Sequence, residues 1–226
     1  MMKEYSTLDE NRKIKRDPKD LRSSEIGSGD NQSKYQIEKY ATDPWNNSGV
    51  VNNNNCYSYA CNICTDSRSD PGARLYANRT IRTVGTVTEL KEGMKYDGLV
   101  EIQGGLVKKS DDKAMQLVQG TLEKPAWRVA VFVTKKDNDP FGYHFFREVW
   151  SIDDSVYNAN SDGTCWAHKF FSDPVTNLTI KESEENRRHA ITNPEVEMRE
   201  WNKRNTTHYE LLGYYLVKPD VKIGTY

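Results

Sequence analysis

A chain of 226 residues with a formal charge of −1 makes one ordinary domain with room for a tail, and its balanced charge excludes a general pull toward nucleic acid or a membrane surface. No apolar run approaches the roughly 20 residues of a membrane-spanning helix. The opening Met1–Asp17 also lacks the apolar segment of a secretory leader, so a cytoplasmic location, or delivery without such a leader, is expected.

Residues 1–34 mix charge with Ser and Gly and hold only Leu8, Ile14, Leu21 and Ile26 as aliphatic anchors, which predicts a charged flexible N-terminal tail ahead of a domain spanning 35–226. Ordered structure is expected to begin at Tyr35. Next comes "NNNNCYSYACNIC", Asn52–Cys64. Its small and aromatic residues fit one or two helical turns from Cys56, with Asn54 or Asn55 as the N-cap. Asp70-Pro71-Gly72 reads as a turn. "TIRTVGTVT" (80–88) and "DGLVEIQ" (97–103) read as strands, and "SDDKAMQLVQG" (110–120) as a short helix with Ser110 as cap and Gly120 as stop. "AWRVAVFVT" (126–134) is a nearly continuous β-branched run, the mark of a buried strand. "YHFFREVWSI" follows as a second strand, "DGTCWAHKF" as a third after a turn at 160–163, "EVEMREWNKRN" as a helix and "YELLGYYLV" as a final strand. The order is an α+β layout, with a cysteine-bearing helix followed by antiparallel strands.

Four cysteines in this length do not make a disulfide scaffold. Cys61-x₂-Cys64 with Cys165-x₂-His168 would complete a Cys₃His zinc set, but about 100 residues separate the halves, far beyond a zinc ribbon. Cys56-x₄-Cys61-x₂-Cys64 matches part of an iron–sulfur spacing, yet tyrosines fill the loop where small residues should let backbone approach sulfur. No metal or other cofactor is therefore expected, and Cys61, Cys64 and Cys165 read as small apolar residues. Cys56 differs because it opens a helix. The positive helix end favours a thiolate, and free N–H groups there can hold an oxyanion. Four histidines are available as a base. His144 and His168 sit on neighbouring strands that can bring their rings together, whereas His189 and His208 lie in polar, solvated contexts.

A cysteine opening a helix, a histidine on a following strand and a third polar residue on the next strand together resemble the papain-like cysteine hydrolases, especially the NlpC/P60 group. The matching pieces are "NNCYSYA", "AVFVTKKDNDPFGYHFFRE" and "DGTCWAHK". The strings "NCYSYA", "HFFRE", "WAHK" and "DPVTNL" are also similar to pieces of an uncharacterised bacterial and viral family. The chain departs from the NlpC/P60 pattern where Tyr57-Ser58 replaces the Ser-Gly after the cysteine, and where "HFFRE" replaces His-Val-Gly-Ile.

The resemblance implies a papain-like fold, a helix packed on an antiparallel sheet, and thiol-dependent hydrolysis of an amide or ester bond in a peptide or protein substrate. A peptidase, an amidase and a deamidase all fit. Cys56 would be the nucleophile, His144 the base and His168 the residue orienting His144. Asn158, Asp162 and Asn177 compete for that third role. The Cys56 N–H and the Asn55 side chain would serve the oxyanion. Trp150, Trp166 and Tyr57 would line a groove or fill the core. Two other readings stay open: a non-catalytic papain-like protein-binding module and a zinc-stabilised interaction domain.

Overall fold

The computed structural model describes residues 21–26, 33–38, 40–65, 67–76, 84–102, 126–134, 141–151, 164–180, 188–218 and 220–225. Five strands form one antiparallel sheet: β3 (Val100–Ile102), β4 (Trp127–Thr134), β5 (Tyr143–Trp150), β6 (Thr164–His168) and β7 (Tyr209–Val217), in the spatial order β3-β7-β4-β5-β6. With helices α1 (Cys56–Ala60), α2 (Val87–Asp97) and α3 (Pro194–Arg204), the architecture is α+β. A separate antiparallel pair, β1 (Leu21–Ile26) with β2 (Ser33–Glu38), straddles the tail boundary expected at residue 34. Residues 1–20, the helix expected at 110–120 and the turn expected at 160–163 lie outside the described residues.

The β-branched run at 126–134 becomes β4, flanked by β7 and β5 and buried at every residue but Arg128. The final segment, β7, is not an edge. It inserts between β3 and β4, with a register shift at Val131/Phe132.

The strand expected at 80–88 fails over 84–88, while residues 80–83 lie outside the described residues. Thr86, Val87 and Thr88, the end of "TIRTVGTVT", start α2 instead. Thr86 accepts the Glu89 N–H at 3.2 Å, and the Glu89 carboxylate accepts the Gly85 N–H at 2.9 Å. These two caps satisfy orphan donors that a β-branched run alone would leave open. Gly98, at φ 101°, stops the helix in the left-handed region.

The two faces of the sheet are covered differently. On one face α1 packs through Tyr57, whose ring lies 5.1 Å from that of Phe145. Trp127 Nε1 donates to the Ala60 carbonyl at 2.7 Å. The buried Arg147 guanidinium lies 4.3 Å from the centre of the Trp127 ring and donates to Asn62 Oδ1 at 2.8 Å, tying the end of α1 to β5. Toward the other face α3 brings Met198 into the core, while the Tyr214 hydroxyl donates to Glu195 at 2.9 Å. There Glu148 is buried and paired with Arg128, whose Nε donates to the carboxylate at 3.0 Å. Among the described residues no helix is long and apolar enough to cross a membrane.

Candidate active site

The asparagine run explains how α1 is aimed. Asn53 donates to the Gly49 carbonyl and Asn54 to the Val50 carbonyl, each at 2.8 Å. Asn54 Oδ1 also accepts the Thr65 N–H at 2.6 Å. Asn55 is the N-cap, accepting the Ser58 N–H at 3.1 Å while Ser58 Oγ accepts the Asn55 N–H at 3.0 Å. This reciprocal box fixes the start of a helix only five residues long, which propensity alone would not hold. Asn55 Nδ2 donates to the Ser69 carbonyl at 2.5 Å, which uses one of its two hydrogens.

The stagger of β5 and β6 makes the opposite wall. β6 pairs with β5 only from Phe146 onward, so Tyr143, His144 and Phe145 run past its last rung. The Phe145 N–H there, one residue beyond His144, favours the charged form of the Cys56 sulfur. Cys56, Asn55 and His144 line one cavity of about 1000 Å³. His144 Nε2 lies 3.0 Å from His168 Nδ1, the two rings nearly perpendicular at 88°. This contact occupies the Nε2 side of the His144 ring.

Burial dominates the electrostatics. It pushes the Cys56 thiol up to about 12, the Phe145 N–H pulling the other way, with Asp70 raising it further. It holds His144 well below the ordinary imidazole range, with His168 adding to the effect, and it lowers His168 to about 3. At neutral pH the thiol and both rings are uncharged, so the thiolate expected at the helix start is not the resting form. A neutral imidazole is nonetheless the form a general base requires.

The remaining expected residues are elsewhere. Asn177 is buried with its amide 3.9 Å from the Cys165 sulfur, and Asn158 and Asp162 lie outside the described residues. His208 is exposed and His189 half-buried. Trp150, Trp166 and Tyr57 are buried core rather than groove. Among the described residues no three His, Cys, Asp or Glu side chains converge to hold a metal.

Sequence reasoning missed several residues. Phe170 stacks on His144 at 3.8 Å and 6°, and its opposite face meets Trp201 at 4.0 Å and 14°. Asp70, read only as a turn residue, is buried, accepts from the Tyr143 hydroxyl and lines the cavity. Lys169 is fully buried, its ammonium donating to the Val51 carbonyl at 2.7 Å and the Asp173 carbonyl at 2.6 Å, which joins the two sides of the site. The doubled aromatic "KFF" after β6 was the one signal in the sequence that could have pointed to Phe170.

No protein-family model, no curated protein and no solved structure matches the chain.

Proposed function

We propose that this protein is a thiol-dependent acyl-transfer enzyme of papain-like, NlpC/P60-like type that hydrolyses an amide or ester bond in a peptide or protein substrate. The observation that carries this reading is the convergence at one cavity of Cys56, opening α1, and His144, on the overhang of β5, with His168 at 3.0 Å behind His144. In this mechanism Cys56 attacks the carbonyl carbon as its proton passes to His144 Nδ1. His144 Nε2–H donates to His168 Nδ1, which fixes the tautomer that leaves Nδ1 bare. The Cys56 N–H and the second Asn55 amide hydrogen receive the developing oxyanion. His144 then returns its proton to the leaving atom, and water releases the acyl group. A cavity of about 1000 Å³ has room for a stretch of peptide.

The experiment is acylation by p-nitrophenyl acetate, read by mass spectrometry of the intact protein and its peptides. Acetyl transfer to Cys56 is expected in the native protein, slowed about 100-fold or more in His144→Ala. Absence of acetyl-Cys56, or an equal rate in His144→Ala, overturns the proposal. One observation favours the non-catalytic binding module instead: the buried thiol, pushed up to about 12, carries no charge at rest. That reading expects acetyl groups on surface lysines and none on Cys56.

A further inference from the structure

Phe171 is a large apolar side chain in a place that neither folding nor solubility explains. It is 67 % exposed, more than any other large hydrophobic residue among those described. Its backbone sits at φ 39°, in the left-handed region that non-glycine residues seldom adopt. It occupies the second position of a turn closed by the Asp173 N–H donating to the Phe170 carbonyl at 2.6 Å. Glycine, asparagine or aspartate fill such positions without strain. Strain of this kind persists where the surroundings impose it and clusters at ligand clamps. The surroundings do impose it here. Phe170 is wedged between His144 and Trp201, and Lys169 pins the Asp173 carbonyl. The turn therefore holds Phe171 out over the cavity that Cys56, His144, Phe141 and Tyr209 also line.

The chemistry says which part of a substrate passes there. His144 must return its proton to the leaving atom, so the leaving group lies over His144, while the carbonyl oxygen turns toward the start of α1. Phe171 follows the ring stacked on His144 and stands on the leaving-group side. We propose that Phe171, with Phe141, forms a subsite for a large apolar or aromatic side chain on the leaving-group half of the substrate. This rests on the acyl-transfer reading and sharpens it: the scissile bond is followed by a hydrophobic residue.

The test uses two acetyl donors whose leaving thiols have similar basicity, S-ethyl thioacetate and S-(2-phenylethyl) thioacetate. In each, the Cys56 sulfur attacks the carbonyl and its proton passes to His144. The bond from the carbonyl carbon to the leaving sulfur breaks, and that sulfur takes the proton, leaving acetyl-Cys56 and a free thiol. The native protein is expected to be acylated about tenfold faster by the phenylethyl ester than by the ethyl ester. In Phe171→Ala that ratio should fall toward one. Phe171→Gly should lose the ratio as well, and it should melt no lower than the native protein, because glycine accepts the turn geometry. A ratio near one in the native protein, or a ratio retained in both variants, overturns the subsite. With Cys56 still acetylated by the ethyl ester in a His144-dependent way, the acyl-transfer reading survives that failure. If neither ester acetylates Cys56, both fall together.

Discussion

Asp97 ties the candidate nucleophile to the rest of the fold, and its titration makes that tie measurable. At the end of α2 its Oδ2 accepts the hydroxyl of Tyr57, the residue after Cys56, and the backbone N–H of Gly72, both at 2.8 Å. Arg74 approaches Oδ1 at 3.6 Å. Burial lifts the Asp97 carboxyl from 3.8 to about 6, despite the opposing effects of Gly72, Tyr57 and Arg74. At about 1.4 kcal/mol per tenfold in proton affinity, the shift corresponds to about 3 kcal/mol. The folded protein holds this proton more tightly than the unfolded chain. Stability from the protonated form is therefore fully present below pH 3.8 and is lost as pH rises through about 6. The assay is urea unfolding followed by tryptophan fluorescence from pH 4 to pH 8, on the native protein and Asp97→Asn. Other groups titrate alike in both and cancel in the difference. The amide introduced by this substitution can keep one carbonyl oxygen for Tyr57 and Gly72, and Arg74 can turn toward solvent. Relative to the native protein, the variant should gain about 2–3 kcal/mol between pH 4 and pH 7. A stability difference that does not change across this range would refute the argument.

Three further outcomes are expected. Arg128→Ala leaves the buried Glu148 carboxylate without its guanidinium and should cost about 3 kcal/mol or more, read as a lower urea midpoint. Gly93 lets α2 touch the 70–76 turn, since a Cβ there would run into Pro71 and Gly72. Gly93→Ala should therefore cost about 1–3 kcal/mol in thermal unfolding, whereas full stability would mean that the turn yields freely. With its thiol pushed up to about 12, Cys56 should react with iodoacetamide at a rate still rising about tenfold per pH unit at pH 9. A plateau below pH 7 would instead reveal a preformed thiolate.

The strands were legible where burial is a property of the segment itself. Val129, Val131 and Val133 announce a covered strand. The strand misread at 84–88 shows the limit. Val and Thr favour β structure only weakly, and two cap hydrogen bonds around Thr86 outweigh them. The place of β7 between β3 and β4 was not legible, because a mostly apolar run carries no record of which neighbours it will pair with. Residue type alone narrowed the cap to Asn54 or Asn55, and the fold selects Asn55. The Phe170–His144 stack was not legible, since residues 26 positions apart are brought together by the pairing of β5 with β6.

The thiol is where sequence logic and the folded protein part most sharply, and magnitudes show why. A charge at a helix end gains about 0.3–1 kcal/mol at an exposed site, and α1 offers five residues of helix for the purpose. Moving the Cys56 thiol from 9.0 to about 12 amounts to about 4 kcal/mol in the other direction. Burial therefore wins, and it wins because α1 packs against β5, a long-range feature no local motif records. A neutral thiol sharing a cavity with a neutral imidazole could attack only as its proton leaves. An acyl-transfer site of this kind would depend on His144 during attack rather than at rest. Any substrate that displaces water from the cavity would strengthen the attraction between the charges formed in that step. On the proposed acyl-transfer reading, nucleophile strength would be tied to occupancy: Cys56 would react slowly with small alkylating agents at neutral pH, and full reactivity would belong to the site filled by an acyl donor.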